Sequence, residues 1–203
     1  MEVNHGLVAV VLATIALVGI LAFRPSLTVP RRGKILAFLA FFILPIILMA
    51  VGTSDHLEHS KSTEFCLSCH VMEPYGESLY IDSGEYLPAS HFQNNRIPSD
   101  KACFTCHTTY TMYGDLKAKI QGLRHVLVNY LGEIPDELEL YLPYSNRECL
   151  HCHGSARSFL EGEFHIDMLA ELESNELSCL ECHEFVHDIA GLGEADLWKG
   201  GEE

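Results

Sequence analysis

Two apolar runs open the chain, and neither contains a charged residue. Gly6–Phe23 reads GLVAVVLATIALVGILAF, and Ile35–Gly52 reads ILAFLAFFILPIILMAVG. Each run is close to the ~20 residues that a helix needs to cross the hydrocarbon core of a bilayer. The pattern therefore predicts two transmembrane helices, at residues 6–23 and 35–52, and a kink at Pro45 in the second.

The segment between the two runs sets the predicted orientation of the chain. It reads RPSLTVPRRGK, with four basic residues and no acidic one. Because basic loops stay in the cytoplasm, both chain ends are expected on the outer side of the cytoplasmic (inner) membrane. A cleaved signal peptide is the alternative, but the residues before the first run include Glu2 and lack a basic n-region. We therefore divide the chain into a membrane anchor at 1–52 and an extracytoplasmic domain at 53–203.

Polar and apolar positions after Gly52 predict short helices and loops rather than a sheet, because the alternation typical of strands is scarce. One long helical pattern lies within Tyr113–Leu131. Its apolar residues recur at helical spacing and are Leu116, Ile120, Leu123, Leu127 and Tyr130. The predicted fold is mainly α with extensive loops, in which a transmembrane helical hairpin precedes a compact second domain.

The second domain is strongly acidic. The chain has 203 residues and a formal charge of -15, and 27 of its 28 Asp and Glu residues follow Gly52, against 9 of its 13 Lys and Arg residues. Such a domain repels nucleic acid and anionic lipid. We therefore exclude nucleic acid as a partner and expect basic patches on any protein partner.

All eight cysteines fall in four Cys-x-x-Cys-His motifs. The cysteines are Cys66, Cys69, Cys103, Cys106, Cys149, Cys152, Cys179 and Cys182, and the histidines that follow them are His70, His107, His153 and His183. Two thiols three positions apart can each add to one vinyl group of a haem, and the next histidine then binds the iron. The motifs predict four covalently bound haems c in a compact tetrahaem multihaem-cytochrome domain, where porphyrin replaces much of the side-chain core.

Zinc ribbons and redox-active dithiols also use Cys-x-x-Cys pairs. A ribbon does not require a histidine after every pair, and a thioredoxin-like motif needs a strand–helix setting that the sequence lacks. The predicted topology also places the motifs on the oxidising side of the membrane, where c-type haem is attached. Haem attachment is therefore favoured over both alternatives.

Four irons have eight axial positions, and the motif histidines fill at most four. His91 and His165 lie between motifs and His187 follows the last one, so each is a candidate distal ligand to the haem of another motif. Met72 offers a thioether in place of His70 at the first iron, which would raise the haem potential. The remaining histidines are interpreted as solvated or interfacial, or as part of a motif, and are His5, His56, His59 and His151.

A possible quinol site lies on the long helical pattern. Only 13 residues separate the second apolar run from Cys66, so the first haem is expected near the outer membrane surface. Ala118, Gly122 and His125 share one helix face that a flat ring could approach, and Lys119 lies one step round. A Lys or His of adjusted pKa beside an electron acceptor is able to take a proton from quinol. Lys119 and His125 are therefore the candidate quinol site, and an ordinary surface lysine and core or surface histidine are the alternative.

The order of these features resembles the NapC/NirT/NrfH family of membrane-anchored tetrahaem c-type cytochromes, which are quinol dehydrogenases. The resemblance covers roughly residues 35–190 and rests on a membrane helix, CLSCHVM, a loop histidine, a second motif, a lysine-bearing helix and two further motifs with a histidine just after the last. It implies that electrons pass from menaquinol or ubiquinol to an extracytoplasmic reductase or another cytochrome subunit, within a hetero-oligomeric complex.

The resemblance also implies roles for single residues. Met72 matches a methionine that binds the first haem iron in NrfH-like members, and Lys119 matches a quinol-site lysine. His91, His187 and His165 match distal ligands, which are assigned here to the fourth, third and second haems respectively. His125 falls near the place of an aspartate that approaches the open face of the first haem. A histidine there is also able to bind that iron.

Two other functions are compatible with the sequence. The family usually has one membrane helix, so the extra helix is expected to serve a partner or a wider quinone pocket. A haem relay and anchor subunit without its own quinol site is therefore one alternative. A small-oxidant reductase with an open haem is the other, and it is disfavoured because candidate ligands are numerous and no Cys-x-x-Cys-Lys motif is present.

Overall fold

The computed structural model describes residues 5–133 and 143–200, and it divides the chain into two compact units between His59 and Ser60. The first unit contains helices α1 (His5–Phe23), α2 (Arg31–Phe38) and α3 (Leu44–His59). The predicted boundary after Gly52 lies earlier than this division. The reason is that α3 continues through the polar residues 53–59 before it ends.

Both apolar runs are helical, and both helices extend beyond the predicted bounds. The helices His5–Phe23 and Arg31–His59 are long and apolar enough to cross a membrane. Only 11% and 6% of their most apolar windows are buried, whereas the core helix of a soluble protein would be mostly covered. α1 packs against α3, and large side chains such as Phe23 and Met49 point outward. This arrangement fits a helical hairpin surrounded by lipid.

The second helix changes its winding just before Pro45. Residues Leu39–Ile43 form a π-helical turn between α2 and α3. Pro45 has no N–H, and its ring crowds the carbonyl of the residue four positions earlier, Phe41, which lies inside this turn. A wider turn is a common response to such a conflict. The expected disturbance at Pro45 therefore takes the form of a π-helical turn.

The second unit consists of short helices joined by loops and 3₁₀ turns. Its α-helices are α4 (Thr63–Leu67), α5 (Glu73–Glu77), α6 (Leu87–Gln93), α7 (Ala102–Cys106), α8 (Gly114–Leu131), α9 (Asn146–His153), α10 (Arg157–Leu160), α11 (Glu163–Asp167) and α12 (Leu169–Ser174). The described residues contain no β-strand, and a single antiparallel bridge joins Ile81 to Leu197. The prediction of a mainly helical, loop-rich domain after a helical hairpin is confirmed.

The side-chain core of the second unit is small. Its buried apolar residues are Leu79, Ile81, Ala89, Ala102, Phe159 and Leu172. Among the described residues, no large side chain is completely shielded from solvent. A core of this size is marginal for a domain of this length, because burial of apolar surface is the main force that stabilises a fold. The unit therefore fits a domain whose core includes a large apolar cofactor.

Candidate haem-binding site

Each Cys-x-x-Cys-His motif begins in or beside a short helical segment. Ser62 caps α4 by accepting a hydrogen bond from the backbone of Phe65, at 3.1 Å, and Ser145 caps α9 in the same way. The last motif starts in a 3₁₀ turn, where Ser178 and Glu181 form a reciprocal capping box. Such caps satisfy N–H groups that a short helix leaves without partners. They hold the motifs in place locally, before any cofactor is considered.

The first and second motifs lie together. The thiols of Cys66 and Cys103 are within hydrogen-bonding distance of each other. Thr63 joins their backbones, because its hydroxyl donates to the carbonyl of Ser99 and accepts from the N–H of Ala102, both at 2.8 Å. Thr63, three positions before Cys66 of the first motif, thus holds the start of the second motif in place.

The third and fourth motifs repeat this arrangement. The thiols of Cys149 and Cys179 are in contact, and the buried Asn146 lies three positions before Cys149. Its amide oxygen accepts from the N–H of Cys179 at 2.8 Å, and its amide nitrogen donates to the carbonyls of Leu172 and Leu177 at 2.9 and 2.6 Å. Asn146, at the start of α9, therefore links the third motif to Cys179 of the fourth motif and to the carbonyls of Leu172 and Leu177 before it.

Two tyrosines connect the second motif with the third. The Tyr110 ring stacks on His151, with ring centroids 3.8 Å apart, and the Tyr110 N–H donates to the Glu148 carboxylate at 2.9 Å. The Tyr144 hydroxyl donates to the carbonyl of Cys106 at 2.6 Å. The four motifs are therefore joined in chain order, and His151 has a packing role.

Three histidine pairs have a common spacing. The ring centroids are 6.2 Å apart for His107 and His187, 5.9 Å for His91 and His153, and 6.3 Å for His165 and His183. Each pair joins one motif histidine to one of the three candidate distal histidines. Metal–imidazole bonds are about 2 Å long, so two rings on opposite sides of one metal ion have centroids roughly 6 Å apart. The three pairs therefore fit bis-histidine ligation of a haem iron.

Hydrogen bonds at the distal rings favour ligation through Nε2. His91 Nδ1 donates to the carbonyl of Leu87 at 2.7 Å, because a carbonyl only accepts. His187 Nδ1 lies 2.7 Å from the Ser78 hydroxyl, whose own proton goes to the carbonyl of Tyr75. The serine oxygen therefore accepts from Nδ1–H. In both rings the lone pair is left on Nε2, which is the usual arrangement in a metal-binding histidine.

The surroundings of His187 favour its neutral form. Burial as the main cause, and the nearby His107 as the second, lower the pKa of the His187 ring to about 4. A metal-binding imidazole must be unprotonated, so this environment favours ligation at neutral pH. At His165, Nδ1 is buried and has no hydrogen-bond partner among the described residues. A zinc ribbon would need four ligands around one ion, whereas the described residues hold no convergent group of three His, Cys, Asp or Glu.

The pairing differs from the assignment that the resemblance implied. His91 was assigned to the fourth haem but lies beside His153 of the third motif. His187 was assigned to the third but lies beside His107 of the second. His165 was assigned to the second but lies beside His183 of the fourth. Each distal histidine is brought to its partner by long-range packing, which the spacing along the chain does not encode.

The first motif is arranged differently from the other three. The His70 side chain is 95% exposed, and its Nδ1 lies 2.7 Å from a Glu73 carboxylate oxygen. No second imidazole is paired with His70 in the part of the chain that the structure describes. Met72 ends the 3₁₀ turn that begins at His70 and is partly buried. His125 is near enough to His107 for its charge to lower the pKa of that ring, after desolvation as the main cause.

Lys119 lies beside the first two motifs. Its Nζ donates to the carbonyl of Ser60 and lies 4.7 Å from the Phe104 ring centroid and 5.7 Å from that of Phe65. These two rings directly adjoin Cys103 and Cys66 in the sequence. Burial lowers the pKa of the Lys119 amine. The predicted helix is observed as α8, and it places this amine next to the first cysteines of two motifs.

Some residues that position the site were not predicted from the sequence. Two of them, Thr63 and Asn146, lie three positions before a motif, and that shared spacing was a usable signal. Lys61 forms an ion pair with Asp115 at 2.7 Å beside Lys119, and no local pattern pointed to it. Ser78, which orients His187, gave no signal either.

Comparison with known proteins identifies the family of the chain. The family model described as the NapC/NirT cytochrome c family, N-terminal region, matches residues 30–191. The cytochrome c-type protein NapC of Haemophilus influenzae is 24% identical over 172 residues, which cover 76% of this chain and 81% of that protein. A putative tetraheme cytochrome-c type protein of Allochromatium vinosum is 25% identical and covers 72% of this chain and 88% of its own length.

A longer relative matches through part of its length. The cytochrome c-type protein TorC of Escherichia coli is 25% identical over 163 residues, which are 80% of this chain and 35% of that protein. No solved structure matches the chain.

Proposed function

The chain belongs to the NapC/NirT cytochrome c family, and from this membership we propose that it carries four haems c and passes electrons from membrane quinol to an extracytoplasmic redox partner. The family and its members support a membrane-anchored multihaem c-type cytochrome that acts in electron transfer. The number of haems, the quinol donor, the orientation and the partner are our proposal.

The four motifs are proposed to hold one haem each through two thioether bonds. Bound haem c supplies a one-electron Fe(III)/Fe(II) couple. For the second, third and fourth motifs, the proposed axial pairs are His107 with His187, His153 with His91, and His183 with His165, as their ring spacing favours. Iron with two imidazoles is closed to small oxidants, so these pairs disfavour the reductase alternative at the second, third and fourth haems.

The first iron is proposed to take Met72 as its protein ligand. The exposed His70 ring is engaged by Glu73, whereas the Met72 side chain is partly buried two residues further on. Thioether ligation raises the potential of a haem. Such a site would accept an electron from quinol more readily than the bis-histidine sites. His125, which acts on His107, is the less favoured ligand.

The position of Lys119 is the observation that carries the quinol proposal. Its amine lies between Phe65 and Phe104, beside the thiols that attach the first and second haems. A quinol that gives up electrons must also lose its hydroxyl protons. A partly buried amine with a lowered pKa is suited to accept one of them. We propose that Lys119 binds the quinol hydroxyl and takes its proton.

Access from the bilayer is supported by the chain itself. Only residues 60–65 separate the end of α3 from Cys66, and this short connection supports our proposal that the first motif lies near the membrane surface. The apolar side chains of α8 are exposed, among them Leu116, Ile120, Leu123 and Leu127. On the Lys119 side, no described atom outside α8 lies within 4 Å of a Cβ built at Gly122. An apolar quinol ring would therefore find open space next to the amine.

The basic loop Arg24–Lys34 supports the proposed orientation, with the haem unit on the periplasmic side of the inner membrane. The acidic surface of that unit favours a redox partner with basic patches around its own entry site. We propose that the partner is a reductase or another cytochrome subunit, held with this chain in a hetero-oligomeric complex. A haem relay without its own quinol site is the second candidate, and the second apolar helix favours it as a surface for a larger complex.

Anaerobic mixing of the purified full chain with short-chain menaquinol and ubiquinol analogues tests the proposal. Haem absorbance should show reduction by at least one quinol, and the absorbance change after addition of dithionite defines complete reduction of the haems. Lys119→Met is expected to slow the reaction at least tenfold without changing haem content, whereas Lys199→Met, which removes a charge elsewhere, should react normally. Reduction by dithionite but by neither quinol would reject the quinol proposal and leave the relay function.

A further inference from the structure

A partly exposed ion pair lies beside Lys119 and has no part in the function described above. Lys61 Nζ is 2.7 Å from Asp115 Oδ2, and the Lys61 side chain is only 14% exposed, against 50% for Asp115. The other Asp115 oxygen accepts a hydrogen bond from the buried Thr108 hydroxyl at 3.2 Å. Both carboxylate oxygens are therefore engaged, and the pair is held in one position.

The amines of Lys61 and Lys119 both lie near the ring of Phe104. They are 5.7 and 4.7 Å, respectively, from its centroid. Two ammonium groups this close oppose each other's protonation, and a nearby carboxylate offsets the effect in part. The cluster therefore contains two amines and one carboxylate, in which Asp115 is bonded to Lys61 rather than to Lys119.

We propose that Lys61 and Asp115 are positioning residues for Lys119, because together they keep a second and partly compensated positive charge beside its amine and so leave that amine ready to accept a proton. The inference rests on the proposed quinol function. In the step, an O–H bond of the quinol would break and its proton would go to Lys119 Nζ, while the proton of the second hydroxyl would leave to water. Oxidised haem c, when bound, would supply the one-electron acceptors for the two electrons that the quinol loses.

The charges that face Lys119 from its surroundings act in opposite directions. After burial, the Lys61 charge lowers the pKa of Lys119, whereas Cys66, Cys103 and Asp115 raise it. The two cysteine sulfurs become thioethers when haem is attached, and a thioether carries no charge. Among the protein groups that act on Lys119, Lys61 and Asp115 are then the charged ones that remain.

These opposite effects predict opposite shifts in the pH dependence. A general base acts when deprotonated, so the quinol rate should rise with pH through the pKa of Lys119. Lys61→Met removes a positive neighbour, raises that pKa and should move the rise to higher pH. Asp115→Asn removes a negative neighbour, lowers that pKa and should move the rise to lower pH. Each shift is expected to be about 1 pH unit.

The experiment compares pH profiles of quinol-dependent haem reduction for the haem-loaded full chain and the two variants. Lys199→Met and Asp100→Asn change the net charge elsewhere and should leave the profile in place. Lys61→Arg keeps the charge and should retain the native midpoint. Shifts in the same direction, or no shift in either variant with haem content intact, would overturn the proposal.

A second readout separates this inference from the quinol function. The rate at which Lys119 reacts with an amine-specific reagent, followed by peptide mass spectrometry, reports the pKa of Lys119 without any quinol. The labelling rate is followed against pH, and opposite shifts of its pH midpoint in Lys61→Met and Asp115→Asn support the positioning role of the pair even if quinol fails to reduce the haems. Unchanged midpoints in both variants overturn that role even if quinol reduces the haems at the native rate.

Discussion

The His107 and His187 rings are nearly parallel, with centroids 6.2 Å apart and an angle of 15° between their planes. The gap is too wide for direct ring stacking and fits two imidazoles on opposite sides of one iron. His107 belongs to the second motif, whereas His187 follows the fourth. The last segment of the domain therefore folds back to the second motif.

Replacing His187 with alanine should remove one distal ligand and leave the second haem attached. A haem iron that keeps a single imidazole becomes high-spin, so EPR is expected to show one low-spin centre converted to high spin. The double variant His91→Ala/His187→Ala should convert two centres, because the two histidines face different motifs.

His56→Ala serves as the control, since this residue lies at the end of α3 in the other unit. Its spectrum should match that of the native protein. If His187→Ala leaves all low-spin signals unchanged, the ring is not an iron ligand and the spacing has another cause.

Asn146→Ala is expected to destabilise the haem domain by about 3 kcal/mol. The substitution leaves the carbonyls of Leu172 and Leu177 and the N–H of Cys179 without their buried partner. Denaturant unfolding of the haem-loaded protein measures the free energy. Asn94→Ala, which removes one exposed hydrogen bond to Ser90, should change it by less than about 0.5 kcal/mol. Equal effects of the two variants would show that the buried hydrogen bonds of Asn146 do not stabilise the domain.

Two glycines of α8 should respond in opposite ways to alanine. A Cβ at Gly114 would overlap the carbonyl oxygen of Thr109, so Gly114→Ala must displace the start of α8. We expect a loss of about 1–3 kcal/mol in the free energy of unfolding. A Cβ at Gly122 meets open space within the described residues, and alanine there should stabilise the helix by about 0.5–1 kcal/mol. Thermal unfolding of both variants checks the contrast.

The open space at Gly122 also tests where quinol binds. Gly122→Phe should fill the face beside Lys119 and raise the KM for quinol at least tenfold, while reduction by dithionite stays normal. Gly193→Phe is the matched control, because a Cβ there also meets no described neighbour within 4 Å. A normal KM in Gly122→Phe would place the quinol elsewhere.

Local patterns in the sequence were sufficient for the parts of the molecule that depend on neighbouring residues. The apolar runs predicted both helices of the hairpin, and α8 appeared where the spacing of Leu116 and Ile120 placed it. The four Cys-x-x-Cys-His motifs and their order led to the cytochrome family, which the comparisons confirm. The roles of the individual site residues stay predictions.

Long-range contacts could not be derived in the same way. His91 and His165 were recognised as candidate ligands from their position between motifs, but their partners depend on how loops pack across the domain. Spacing along the chain carries no information about that packing. Lys61 and Asp115 likewise meet through the folding of α8 against the segment before Cys66, and neither stands out in the sequence.

The intact mass of the protein after unfolding in acid measures the four proposed covalent haems most directly. Thioether bonds survive denaturation, whereas metal ions and loosely bound haem are lost. The predicted mass is that of the polypeptide plus four haems, and replacing Cys179 and Cys182 with serine should lower the total by one haem. A mass equal to the bare polypeptide, or to the polypeptide with fewer than four haems when matured in a host that attaches haem c, would contradict the account.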